Sequence, residues 1–180
     1  FVAVGHFTHD VAPQGYIIGG SAAYSSITVR NLGLHSKVVT FVGYDFNQNA
    51  PLLNGIEVRY QISEFTTEFN NIYENGYRRQ LLLNVAGQIR AKHIPLEWRN
   101  AEIAYICPVA NEVAVDVIHA FPDAVIGVTP QGWMRRWDKT HRVFAKKWEN
   151  PEKILPYVDA LILSMDDIAE FPEELERYIE

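Results

Sequence analysis

Asp10 has the chemistry to hold hydroxyl groups, because one ionised carboxylate accepts two of them at once. After eight intervening residues come Gly19 and Gly20, opening the run Gly19-Gly20-Ser21-Ala22-Ala23-Tyr24. Glycine reaches positive φ cheaply and lets a ligand approach bare backbone. A helix starting at Ser21 offers unpaired N–H groups to an oxygen or anion. Two readings stand for the glycine pair: a plain turn, or a ligand-binding turn that also hinges. Asp10 is likewise either a turn aspartate or a hydroxyl acceptor. His6, His9 and Asp10 are close in sequence but lack a helix to align them on a metal, so no metal site is expected there. Asp166 and Asp167 either hold Mg²⁺ through water near a phosphate or sit as acids at a helix N-terminus. Arg135, Arg136, Lys139, Arg142, Lys146 and Lys147 fall between Met134 and Trp148 with Asp138 as the one acid. That segment is a solvated face or a positive field for a phosphate-bearing ligand.

The elements that must position these groups follow a β/α alternation. Phe1 to Gly5 reads as a buried strand, and Ser21 to Leu32 as a helix stopped by Gly33. Lys37 to Gly43 reads as a second buried strand. Strand, glycine turn, helix and strand make a βαβ unit, which implies a parallel sheet. Between Glu64 and Ile94 the runs are more polar and flank Asn75-Gly76, the strongest short hairpin signal, so an antiparallel flap is expected. The parallel pattern resumes with a strand at Ile103 to Cys107 and a helix at Asn111 to Phe121. Strands at Ala124 to Thr129 and Val158 to Leu163 follow, and then a helix from Phe171 to Glu180. The chain ends in that helix without a closing strand, the pattern of a piece of a longer protein. Ligands of open α/β sheets bind beyond the carboxyl ends of the strands. His6 to Asp10, Tyr44-Asp45, Asn111-Glu112, Thr129 to Gly132 and Ser164 to Asp167 all follow strands.

Bulk properties bound the function. With 180 residues, 48% hydrophobic and 21% charged, the chain is long enough for one domain with a real core. A net charge of −6 argues against general nucleic-acid binding. No segment has the apolar length to span a membrane. Cys107 is the one cysteine and lies in an apolar run, as a buried structural thiol does; a reducing cytoplasm is the expected location. There is no Gly-x-Gly-x-x-Gly, no lysine-bearing phosphate loop and no Gly-x-Ser-x-Gly elbow.

In order and spacing, these residues resemble the ribokinase-like (PfkB) family of carbohydrate and nucleoside kinases. A first strand leads to Asp10, and Gly19-Gly20 opens a helix ending Asn31-Leu32-Gly33. A strand then ends in Val42-Gly43-Tyr44-Asp45. Thr66-Thr67-Glu68-Phe69 begins a hairpin reaching Tyr77-Arg78, and Val158-Asp159-Ala160-Leu161 precedes the position of the family's Asn-x-x-Glu motif. Gly5-His6-Phe7-Thr8-His9-Asp10-Val11 and Val128-Thr129-Pro130-Gln131 are similar to the branch containing myo-inositol kinases. The resemblance covers the whole chain. It implies an α/β ribokinase-like three-layer sandwich with a mostly parallel sheet and a small antiparallel β lid, the lid hairpin at about 64–94, incomplete at the C-terminus.

The implied reaction moves the γ-phosphoryl group of ATP, with Mg²⁺, onto a hydroxyl of a small sugar, cyclitol or nucleoside. Asp10, Gly19, Gly20 and Tyr24 take the substrate positions, and Ser164, Asp167, Arg135 and Arg136 the ATP and phosphate positions. A homodimer through the β lid is the implied partner; no nucleic acid or membrane is. Tyr24 replaces the sugar-binding asparagine of ribokinase. Eight residues between Asp10 and Gly19 imply that the first lid hairpin is missing or vestigial. Ser164 and Asp167 shorten both side chains of the Asn-x-x-Glu motif. The family's Gly-Ala-Gly-Asp loop, source of the anion hole and catalytic base, does not occur, so the 180 residues carry the substrate half of the site, no catalytic residue, and no turnover alone. A polyol-binding or regulatory module without catalysis is the alternative.

Overall fold

A computed structural model of the chain describes residues 1–74 and 77–179. Val2, Ala3 and Val4 form β1 (Val2–Val4), flanked by β4 (Ser36–Val42) and β8 (Ile103–Ile106). Beyond them lie β5 (Ile56–Ile62), β9 (Val125–Val128) and the short β12 (Ala160–Leu161). The sheet order is β12-β9-β8-β1-β4-β5, and all of its pairings are parallel. Alternation along β1 sends Val2 and Val4 into one core with Ile106, Ile126 and Trp133, and Ala3 into another with Ala22, Ala23 and Val38. The helix α1 (Ser21–Asn31) covers that second face. Leu32 and Gly33 end it, with Gly33 at φ 80°.

From β1 the chain builds outward to β4 and β5, then returns to the other side of β1 and builds β8, β9 and β12. The strand order therefore reverses between β1 and β8, and such a reversal opens a crevice beyond the strand ends.

A second sheet has the order β3-β2-β6-β7, from β2 (Thr8–Ala12), β3 (Gly15–Gly19), β6 (Thr67–Glu74) and β7 (Tyr77–Asn84). β6 and β7 pair antiparallel, as the composition predicts; the Asn75-Gly76 turn itself lies outside the described residues. Two features differ from the sequence reading. The first lid hairpin is present: β2 and β3 pair from Thr8↔Gly19 to Ala12↔Gly15. Eight intervening residues suffice because the turn needs only Pro13 and Gln14, with Gly15 at φ 120°. The central pairing, β2 with β6, is parallel rather than antiparallel.

The helix expected over 111–121 is a 3₁₀ segment at Val115–Ala120. Asn111 takes the left-handed conformation, φ 58°, and the Glu112 side chain folds back onto preceding backbone. Alternating β-branched Val113, Val115 and Val117 also disfavour an α-helix. The last strand is shorter than 158–163, and the closing helices are α2 (Met165–Ile168) and α3 (Glu174–Ile179). Arg135–Trp137 (β10) and Val143–Ala145 (β11) pair as a separate antiparallel ribbon, so the basic segment is a hairpin.

Candidate functional site

The crevice between β1 and β8 is closed at its base by Glu112, which is 2% exposed. Its carboxylate accepts the backbone N–H of His6 at 3.1 Å, of Val109 at 3.0 and 3.1 Å, and of Ala110 at 2.7 Å. The connections leaving the two strands are thereby joined through one buried carboxyl group. Glu112 is one of the polar residues that follow a strand, but its type and position alone gave it no role.

Above this base the β2–β3 hairpin presents Asp10. Thr8 and Asp10 project on one side of β2, and the Thr8 hydroxyl donates to Asp10 Oδ1 at 3.0 Å. Gly19, paired with Thr8, leaves the space they occupy. A Cβ there would lie 2.5 Å from Asp10 Oδ2 and 2.7 Å from Thr8 Oγ1. Gly20 caps α1 at φ 93° and ψ 144°, and a Cβ there would overlap the His6 carbonyl oxygen. Both glycines are thus required by close approach. No side chain caps the start of α1, so its first N–H groups stay available beside Asp10. Burial pushes the Asp10 carboxyl above its ordinary pKa, opposed by the Thr8 hydrogen bond and by the fields of Arg135 and His9.

On the other face of β2, His9 stacks on Tyr16 (centroids 4.5 Å apart, 7° between planes) and on Phe46 (5.5 Å, 17°). Its Nδ1 lies 3.5 Å from Asp45 Oδ2. Asp45 Oδ1 also accepts from the Thr66 hydroxyl at 2.8 Å and its N–H at 3.2 Å. The Val-Gly-x-Asp segment therefore ties the end of β4 to the start of β6 and braces the hairpin carrying Asp10. His6 is fully buried, with its ring nitrogens on Thr67 Oγ1 (2.7 Å) and the Gly87 carbonyl (2.9 Å). Both are engaged within the protein, which leaves neither free for a metal.

Arg135 reaches the crevice from the basic hairpin. Its Nη1 donates to the Val109 carbonyl at 2.9 Å, and its guanidinium lies 5.5 Å from the centre of the Phe69 ring. Burial lowers its pKa to about 10, with Asp167, Glu112 and Asp10 opposing and Arg78 adding to the shift. It is therefore a cation at neutral pH within the field of Asp10. Phe69, Leu82, Val109 and Ala110 pack together beneath it and join the lid sheet to the crevice. The rest of the basic run goes elsewhere. Arg136 and Arg142 lie over the Phe144 ring at 4.7 and 5.1 Å, Lys146 pairs with Glu149, and Lys147 pairs with Glu173 and Glu174. Alternation along β10 separates Arg136 from Arg135.

Ser164 and Asp167 form a capping box at the start of α2. Asp167 accepts from Ser164 N–H at 2.9 Å, Ser164 Oγ at 2.7 Å and Gln131 Nε2 at 2.9 Å. Tyr24, one turn into α1, is 59% exposed. Cys107 is buried, and burial pushes its thiol pKa well up.

No family model matches the sequence, and no curated protein matches it at a significant level. Solved structures do match. A pyrophosphate-dependent kinase in the ribokinase family, complexed with a pyrophosphate analog and myo-inositol, gives a TM-score of 0.75 at 24% identity, over 98% of this chain and 69% of its own. The fructokinase of Halothermothrix orenii gives 0.64 at 16%, over 99% and 75%. The ribokinase of Arabidopsis thaliana, complexed with ribose and ATP, gives 0.57 at 13%, over 98% and 68%. An open parallel sheet reversing at β1, a four-stranded lid and these superpositions identify the fold of this chain as the ribokinase-like α/β fold.

Proposed function

We propose that this chain carries the acceptor side of a kinase that phosphorylates a hydroxyl of a small sugar, cyclitol or nucleoside. The observation that carries the proposal is that Asp10 and Arg135 lie within each other's electrostatic field at the switch-point crevice. A carboxylate there suits acceptor hydroxyls, and a desolvated guanidinium suits a phosphoryl group, which it can meet bidentately. Gly19, Gly20 and the uncapped start of α1 supply backbone donors beside Asp10, and Tyr24 borders the same helix turn. Closure of the lid on the Gly19-Gly20 hinge excludes water, which competes as a phosphoryl acceptor.

The donor in this reading is ATP with Mg²⁺. Arg135 fits a phosphate by charge. Ser164 and Asp167 fit less directly, because each occupies the other in the capping box; Asp167 then reaches Mg²⁺ only through water. Arg136 stacks on Phe144 and would contact phosphate only at the margin. The similar structure with myo-inositol is a pyrophosphate-dependent kinase, so pyrophosphate belongs beside ATP in any donor test. The engaged Ser164–Asp167 pair favours a second reading, a polyol-binding module without turnover. The four-stranded lid sheet, with Tyr16, Ile17 and Tyr73 exposed, is the surface on which a homodimer is proposed. The proposed location is the cytoplasm; among the described residues no helix is long and apolar enough to cross a membrane.

Calorimetry with myo-inositol, fructose, ribose and nucleosides tests the acceptor site. One of them binds the native chain, and Asp10→Asn weakens that binding by about tenfold or more. Unchanged affinity removes Asp10 from the site. Phosphate transfer to the bound polyol, assayed on the full-length protein with ATP or pyrophosphate, separates the kinase from the binding module.

A further inference from the structure

A groove of about 570 Å³ lies along the β5 edge of the main sheet, between β5 and residues 92–99. Its charged lining is Arg59, Lys92 and Arg99, against Glu97 as the one carboxylate. None of the three cations has a carboxylate within ion-pair distance among the described residues, whereas Lys37 on neighbouring β4 is paired with Glu57. In a chain of net charge −6 this is a local positive field opposed to the whole.

The donors are ordered. Arg59 and Gln61 share one face of β5 by alternation. Arg99 is anchored through Nη2 to the carbonyls of Ala91 (2.9 Å) and Ile94 (3.5 Å). Its buried Nε has no hydrogen-bond partner among the described residues. His93 Nδ1 accepts the Arg90 N–H at 3.0 Å, which leaves the proton of the neutral ring on Nε2 as a further donor. Burial and the charges of Lys92 and Arg90 lower the His93 pKa, against Asp116. Charges on an edge strand also guard against edge-to-edge pairing. That accounts for Arg59 but not for Lys92, His93 and Arg99, which arrive on a separate segment. Pro95 and Leu96 add an apolar wall, and Leu96 is 73% exposed. The volume exceeds what a single phosphate fills and falls in the range of organic-ligand pockets.

We propose that this groove binds a polyphosphate-bearing small molecule at a site separate from the Asp10–Arg135 crevice. The phosphates meet Arg59, Lys92 and Arg99, and Pro95 and Leu96 offer a surface to an organic body. No residue of the groove belongs to the crevice, so the proposal stands or falls independently of the kinase reading.

Calorimetry of the chain with tripolyphosphate, ATP and adenosine tests it. Tripolyphosphate and ATP bind, more weakly as salt rises. The double variant Arg59→Ser/Lys92→Ser, altering two exposed side chains, weakens both by about tenfold or more. Within the binding that the double variant removes, ATP above tripolyphosphate identifies a nucleotide ligand, and equal affinity an inorganic polyphosphate; each supports the site. Tripolyphosphate also protects Lys92 from acylation, read by mass spectrometry on the unaltered protein. Absence of saturable binding, binding indifferent to the double variant, unprotected Lys92, or adenosine binding without tripolyphosphate binding overturns the proposal.

Discussion

The Glu112 carboxylate accepts the His6 backbone N–H at 3.1 Å, tying the chain after β1 to the chain after β8 at the point where the sheet order reverses. Two further backbone donors, Val109 and Ala110, share the same carboxylate. The two strand ends are therefore joined at the base of the crevice by a buried side chain as well as by apolar packing.

Glu112→Ala leaves these N–H groups buried without acceptors. Each orphaned donor costs about 1–3 kcal/mol, so the variant loses about 3 kcal/mol or more in urea denaturation. A loss below about 1 kcal/mol would mean that water or another group replaces the carboxylate.

The two glycines differ in what they protect. Gly20→Ala is strained at φ 93° and meets a backbone oxygen, so it destabilises the fold by about 2 kcal/mol or more. Gly19→Ala meets the ends of the Asp10 and Thr8 side chains, which can move. It should lower polyol affinity by about tenfold with a much smaller change in Tm. Equal effects of the two on stability would remove this distinction.

Stability should fall on mild acidification. His6 and His9 have pKa values below the ordinary 6.5, with burial the largest cause for each. Glu112 faces His6, and Asp45, Glu68 and Asp10 face His9, all opposing the shift. The unfolded chain therefore binds more protons in acid, so stability is full above pH 6.5 and declines below it toward the folded-state pKa values. Each histidine contributes a slope of at most about 1.4 kcal/mol per pH unit. Urea midpoints that stay constant between about pH 7 and pH 5 contradict this.

Cys107 should be inert in the native protein. Its thiol is buried, its pKa is raised, and its Sγ lies 3.6 Å from the Val4 carbonyl oxygen. A thiol reagent should label it only as fast as the chain opens; rapid labelling under native conditions would show an accessible thiolate.

The parallel core was legible in the sequence because it is written in short-range terms. Apolar runs at 2–4, 38–42 and 125–128 alternate with glycine turns, and the small residues after Gly20 can only serve a helix packed close to a strand. Asp10, Gly19 and Arg135 stood out in the sequence by residue type, and the structure sets Gly19 against Asp10 and Asp10 within the field of Arg135. The helix expected at 111–121 failed because Glu112 prefers three backbone donors from two strand ends to a place in a helix. The first lid hairpin was missed because its strands carry little apolar alternation and are stabilised by Tyr16 and Phe46 stacking on His9.

Residue type and spacing thus determined the sheet, the helix start and the polar groups beyond the strand ends. Tertiary structure alone decided that Arg135 turns inward while Arg136 stacks on Phe144. It also decided that Asp167 takes the Gln131 amide and that Glu112 is a buried clasp. The physical reason is range: periodicity and turn chemistry act over a few residues, whereas a buried charge is placed by donors brought together from distant parts of the chain.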